Sequence, residues 1–149
     1  MIIKVSDFVK RVPQVAREQL PRELRGFHVF LMPWLSQVYY DDKRFHYEIV
    51  KLMPRYGENR IELGLHFESK DRAVNVSLLT GFDHYLFEVR DVLGEDWYAE
   101  PWDKGWTKIY TAFDYQVMDE DFLELTAKRL ADTIRVMQPI YKLVSRGKR

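Results

Sequence analysis

The sequence predicts an α+β fold: a two-layer sandwich in which helices cover one face of a mostly antiparallel five-stranded sheet, in the order α-β-β-β-α-β-β-α. Two patterns carry that expectation. Odd positions form a nearly unbroken apolar row in Phe45, Tyr47, Ile49, Lys51, Met53 and again in Ile61, Leu63, Leu65, Phe67, the two-residue period of strands. Beyond them the period lengthens to three and four residues, first over Val74, Leu78, Phe82, Tyr85, Val89 and Val92, then over Phe122, Leu123, Thr126, Ala127, Leu130, Ile134, Met137 and Tyr141.

Ser6 and Asp7 open a first helix, whose apolar positions Phe8, Val12, Val15 and Leu20 recur at helical spacing. Pro13 is expected to kink or split it and Pro21 to end it. The β-prone run Phe27 to Met32 follows Gly26 and makes the first strand, closed by Pro33. Tyr39-Tyr40-Asp41-Asp42-Lys43 then reads as a strand end and turn.

The two alternating segments form a hairpin around Pro54-Arg55-Tyr56-Gly57-Glu58-Asn59, which has the composition of a connecting loop. A loop of Arg55 to Asn59 places His46 opposite Glu68 and Glu48 opposite His66. A slip of two residues would change these partners but not the face they share.

Asp71 caps a long amphipathic helix that Gly94 stops, with Gly81 inside it at a cost of ~1 kcal/mol against alanine. Two strands, Trp97 to Glu100 and Trp106 to Tyr115, flank the turn Pro101-Trp102-Asp103-Lys104-Gly105. Asp119 caps the last helix, which Pro139 is expected to bend. Lys142, Arg146, Lys148 and Arg149 give it a basic end that suits the negative pole of the helix.

At 149 residues, with 46% hydrophobic and 15% aromatic content, the chain is expected to fold as one domain over 1–149, its basic tail flexible from about residue 145. Lys plus Arg and Asp plus Glu balance at 23 each, so no global field favours nucleic acid. Zero cysteines exclude disulfides, thiolate ligands and cysteine nucleophiles. No apolar run approaches the ~20 residues that span a bilayer, and the N-terminus lacks a signal-peptide pattern, so no membrane association and a cytoplasmic location are expected. Isolated glycines and the lack of a glycine-flanked serine exclude phosphate loops and the nucleophile elbow.

The sheet period gives one candidate site. His46 and Glu48 are two residues apart, as are His66 and Glu68, so the even face of the hairpin gathers two imidazoles and two carboxylates. Such N and O donors suit zinc, manganese or iron. The plainer alternative is paired His and Glu side chains on a wet sheet face. Overall the expectation is no cofactor, or else a divalent ion such as zinc, manganese or magnesium.

Glu68-Ser69-Lys70 has the carboxylate-x-lysine form of the restriction-endonuclease-like nucleases, and the order helix, three strands, helix, strand is similar to theirs. That resemblance implies a metal-dependent phosphodiesterase with Glu48 and Glu68 on a magnesium ion and Lys70 assisting the attacking water, although Glu48 stands where the family has aspartate after proline.

Among the rings Trp97, Trp102, Trp106, Tyr98 and Tyr110, most are expected in the core or in cross-strand packing. Trp102, in the turn, is expected at the surface as a protein contact. His28 and His84 share no ligand spacing.

His46-Tyr47-Glu48, Leu65-His66-Phe67-Glu68 and Glu100-Pro101-Trp102-Asp103-Lys104-Gly105-Trp106 resemble phrases of a bacterial protein family without assigned activity. The element order is also similar to that of the small secretion chaperones, dimeric binders that are usually acidic where this chain is neutral. Neither resemblance transfers a functional residue. Two functions remain in view: a non-enzymatic adaptor that binds a protein partner or itself, and a metal-dependent hydrolase using the His/Glu cluster.

Overall fold

A computed structural model describes residues 1–146. Four helices pack on one antiparallel sheet: α1 (Val5–Gln19), β1 (His28–Met32), β2 (Leu35–Tyr39), β3 (Phe45–Lys51), β4 (Arg60–Phe67), α2 (Arg72–Asp83), α3 (Leu86–Leu93), β5 (Tyr98–Pro101), β6 (Thr107–Asp114) and α4 (Glu120–Val144). The sheet runs β1-β2-β3-β4-β6-β5. Lys148 and Arg149 of the expected basic tail lie outside the described residues. Among those described, no helix is long and apolar enough to cross a membrane.

The sheet has six strands rather than five. The extra one is β2, joined to β1 by the two-residue turn Pro33-Trp34. Its alternation is weak in sequence because the core face carries Ser36 as well as Val38. The expected single helix from Asp71 to Gly94 is two: the chain tightens at His84-Tyr85, where the Tyr85 amide donates to the Phe82 carbonyl, and α3 then sets off to pack on α4. Pro13 and Pro139 each lie inside a helix that continues past them.

Parity behaves as the alternation requires. Tyr47, Ile49, Ile61, Leu63, Leu65, Phe67 and Ile109 are buried beneath the helices with Phe8, Val12, Leu130 and Met137. Asp71 and Asp119 cap their helices, accepting from the amides of Ala73 at 3.0 Å and Phe122 at 2.9 Å. Gly81 allows α2 to approach α4, since a Cβ there would stand 2.8 Å from Val144 Cβ.

The register of the central hairpin differs from the expectation by two residues. His46 lies opposite His66 and Glu48 opposite Gly64. The loop is longer than the turn residues implied, because Pro54–Tyr56 winds into a 3-10 turn and the Leu52 amide still bonds the Arg60 carbonyl at 3.0 Å. A slip of two keeps both histidines on the even face, so the cluster survives the correction.

Candidate metal centre

The even face of the sheet has no helix over it, yet its centre is enclosed. His46 and His66 are each 1% exposed and Glu48 is 8% exposed, which removes the picture of ion pairs on a wet surface. The cover comes from side chains of the same face. The edge of Trp102 meets the His66 ring at 5.6 Å, and Lys108 lies over both Trp102 and Tyr110. Trp102 itself is 38% exposed, the surface ring of its turn, whereas Trp97 is buried and Tyr98 packs on Tyr110 across the strands.

The direct opposition of His46 and His66 stacks their rings at 5.3 Å. The Lys43 carbonyl fixes the first ring, accepting from Nδ1–H at 2.7 Å. That contact leaves Nε2 of a neutral His46 with a lone pair, aimed at Glu48 Oε1 at 3.2 Å and Glu68 Oε2 at 3.8 Å. Two lone-pair-bearing atoms this close require a cation, either a proton or a metal ion, between them.

His66 is held by Glu68, whose Oε2 lies 3.1 Å from Nδ1. Its Nε2 is buried and has no hydrogen-bond partner, and it faces Glu48 Oε2 and Glu62 Oε2 at 3.9 Å each. A buried ring nitrogen without a partner is costly unless something fills the gap.

Gln37 donates to Glu48 Oε1 at 2.9 Å, and Lys108 bonds Glu62 at 2.9 Å. Glu68 is fixed through its backbone, its amide donating to the Arg44 carbonyl at 2.8 Å. One atom each from His46, Glu48, His66 and Glu68 can be chosen so that all four lie within 4.8 Å of one another. Donors on a tetrahedron with bonds of about 2.0–2.1 Å sit roughly 3.3 Å apart, so four atoms already within 4.8 Å of one another need side-chain rotation to close on one ion.

Charge points the same way. Glu48, Glu62 and Glu68 against the ammonium of Lys108 leave two negative charges, which either two imidazolium ions or one divalent cation would neutralise. Burial pushes the Glu48 carboxyl up, but the His66 charge, the His46 contact and the Gln37 amide outweigh it and hold the group at about 2. Burial pushes His66 down, and its carboxylate neighbours Glu48, Glu68 and Glu62 more than reverse that. The cluster therefore favours bound positive charge.

All four expected ligands meet. Lys70 does not join them: it is exposed in the loop after β4 and makes none of the hydrogen bonds or ion pairs found among the described residues. His28 and His84 are exposed. The sequence reading missed Gln37, which lies on the unrecognised strand β2, and the pair Glu62 and Lys108. Even parity was a signal for Glu62, which shares a face with His66.

It also missed Asn75. This buried side chain accepts from the Ser69 amide at 2.9 Å and donates to the Ser69 carbonyl at 2.9 Å and the Gly105 carbonyl at 3.1 Å. It ties the segment carrying Glu68 and the turn carrying Trp102 to the first part of α2.

No protein-family model, curated protein or solved structure matches the chain. The functional reading rests on this geometry.

Proposed function

We propose that this protein is a metal-dependent hydrolase in which His46, Glu48, His66 and Glu68 hold one divalent transition ion of the zinc or manganese kind. The observation that carries the reading is the buried pair of Nε2 atoms. In a neutral His46 the Lys43 carbonyl leaves Nε2 as a lone pair, the Nε2 of His66 has no hydrogen-bond partner, and both face carboxylate oxygens at 3.2 to 3.9 Å. The Lys43 carbonyl and the Gln37 amide are the outer partners that orient ligands in metal sites.

The four groups differ in exposure. The side chains of His46, His66 and Glu48 are 1%, 2% and 10% exposed, and Glu68, just past the end of β4, is 16% exposed. Three enclosed ligands and one at the rim match hydrolytic zinc sites, where water takes the fourth position. The ion, when bound, supplies Lewis acidity and a water of lowered pKa. With His46, Glu48 and His66 holding the ion, Glu68 at the rim would leave the fourth position to water and stand within reach of its proton, and substrate would approach over the helix-free face beside Trp102.

Calorimetric titration of zinc or manganese into chelator-treated protein tests the reading, alongside hydrolysis of a panel of phosphodiester, ester and amide substrates. One ion per chain is expected, with binding lost in His66→Gln. Glu68→Gln should keep the ion at weakened affinity, held by the other three ligands, and lose turnover. Binding that His66→Gln leaves unchanged refutes the centre, and an intact centre that cleaves nothing in the panel refutes the hydrolase.

A further inference from the structure

We infer that the free edge of β1 pairs antiparallel with β1 of a second copy of this chain, extending the sheet across a two-fold axis at Phe30. The two edges of the sheet are unlike. The edge strand β5 ends in Glu100 and Pro101 and leads to Asp103 and Lys104, the charges and proline that ordinarily block edge pairing. The other edge strand carries no charge or proline within its own span, with Pro33 only in the turn that follows it. Residues 26–40 contain no Asp, Glu, Lys or Arg, and all five residues of β1 are exposed.

The exposed side chains are apolar on both faces of the strand. Val29 and Phe30 are 37% exposed, Leu31 43%, Met32 36%, and Trp34 in the adjoining turn 47%. A docked helix would cover one face only. Another strand brings its own two faces and meets both.

Register selects a second copy. Met32 pairs with Leu35 across the two-residue turn, so the antiparallel alternation turns the backbone groups of His28, Phe30 and Met32 toward β2 and those of Val29 and Leu31 to the free edge. About an axis at Phe30, Val29 meets Leu31 of the second copy and exchanges both hydrogen bonds with it. His28 then meets Met32, and Trp34 meets Gly26, where a Cβ would find nothing within 4 Å. Residues 26–40 bring no like charges opposite each other, and the nearby cation is Lys43, whose ammonium lies over the Phe30 ring near the axis.

Size sets the strength. With full side-chain areas of about 150–250 Å², the five apolar residues expose roughly 400 Å² per copy. Two copies with their edge backbone bury at most ~1,000–1,200 Å², the lower limit for a specific interface, so a weak dimer dissociating at micromolar concentration is expected.

Sedimentation velocity of the full chain from about 1 to 200 μM reads the result. The wild type should pass from monomer to dimer across that range. Phe30→Lys sets a new ammonium against its copy and beside Lys43, whose Nζ lies 3.3 Å from the Phe30 ring centroid, and should stay monomeric with unchanged circular dichroism. Phe30→Glu mixed with Phe30→Lys should restore a mixed dimer, because the two substitutions meet on the axis. A wild type that is monomeric throughout, including one that captures only an added strand peptide, overturns the inference. So does a dimer indifferent to Phe30→Lys, or a mixture of the two variants that does not associate.

Discussion

His46 and His66 show how little is needed to build a charged site on a sheet. Side-chain alternation made their shared face with Glu48 and Glu68 legible, because it survives any even slip of register. Their direct opposition was not legible, since a 3-10 turn absorbs residues that the composition had assigned to a shorter loop. Nor was their burial, which depends on Trp102 and Lys108 arriving from the far hairpin.

A half-buried group gives a prediction of its own at this scale. Tyr40 donates to the Leu24 carbonyl at 2.7 Å, and burial raises its phenol to about 12 from a usual 10, against the opposing charge of Arg17. The fold disfavours the phenolate, so this contribution is whole below pH 10 and is lost as pH climbs from 10 through 12. Denaturant titrations from pH 8 to 12 should show a steeper alkaline loss in the wild type than in Tyr40→Phe. Parallel losses would contradict the assignment.

Among the elements, capping was readable and connection was not. Asp71 and Asp119 announce helix starts through the chemistry of their own side chains. The break at His84-Tyr85 has no proline or glycine to mark it, and it follows from how α3 packs on α4. Gly81 reads in sequence as a weakness of its helix, whereas in the fold it is what lets α2 close on Val144.

Asn75 is the strongest case. Its helical position says nothing of its partners, yet it fixes the ends of β4 and of the tryptophan turn to α2. Asn75→Ala leaves the Ser69 amide and the Ser69 and Gly105 carbonyls short of partners and should cost about 2–3 kcal/mol in chemical denaturation. The same change should weaken zinc binding by loosening Glu68. A loss below ~0.5 kcal/mol would contradict the role given to this residue.

At the scale of the molecule the design is asymmetric. One face of the sheet is committed to a conventional apolar core beneath four helices. The other encloses three carboxylates, two imidazoles and an ammonium without a covering layer, and leaves the apolar edge of β1 beside them. Burying so much charge opposes folding unless it is neutralised. The balanced totals of acidic and basic residues conceal this, because a net charge of zero records nothing about position. The central claim is that a divalent ion neutralises the centre, and the direct measurement is elemental analysis of protein purified without a metal-affinity tag, beside the His66→Ala, Glu68→Ala double variant. Close to one zinc or manganese per chain in the wild type, and a small fraction of that in the folded variant, is the predicted result; equal metal content in the two proteins, or none in the wild type after growth and dialysis with either ion, would contradict it.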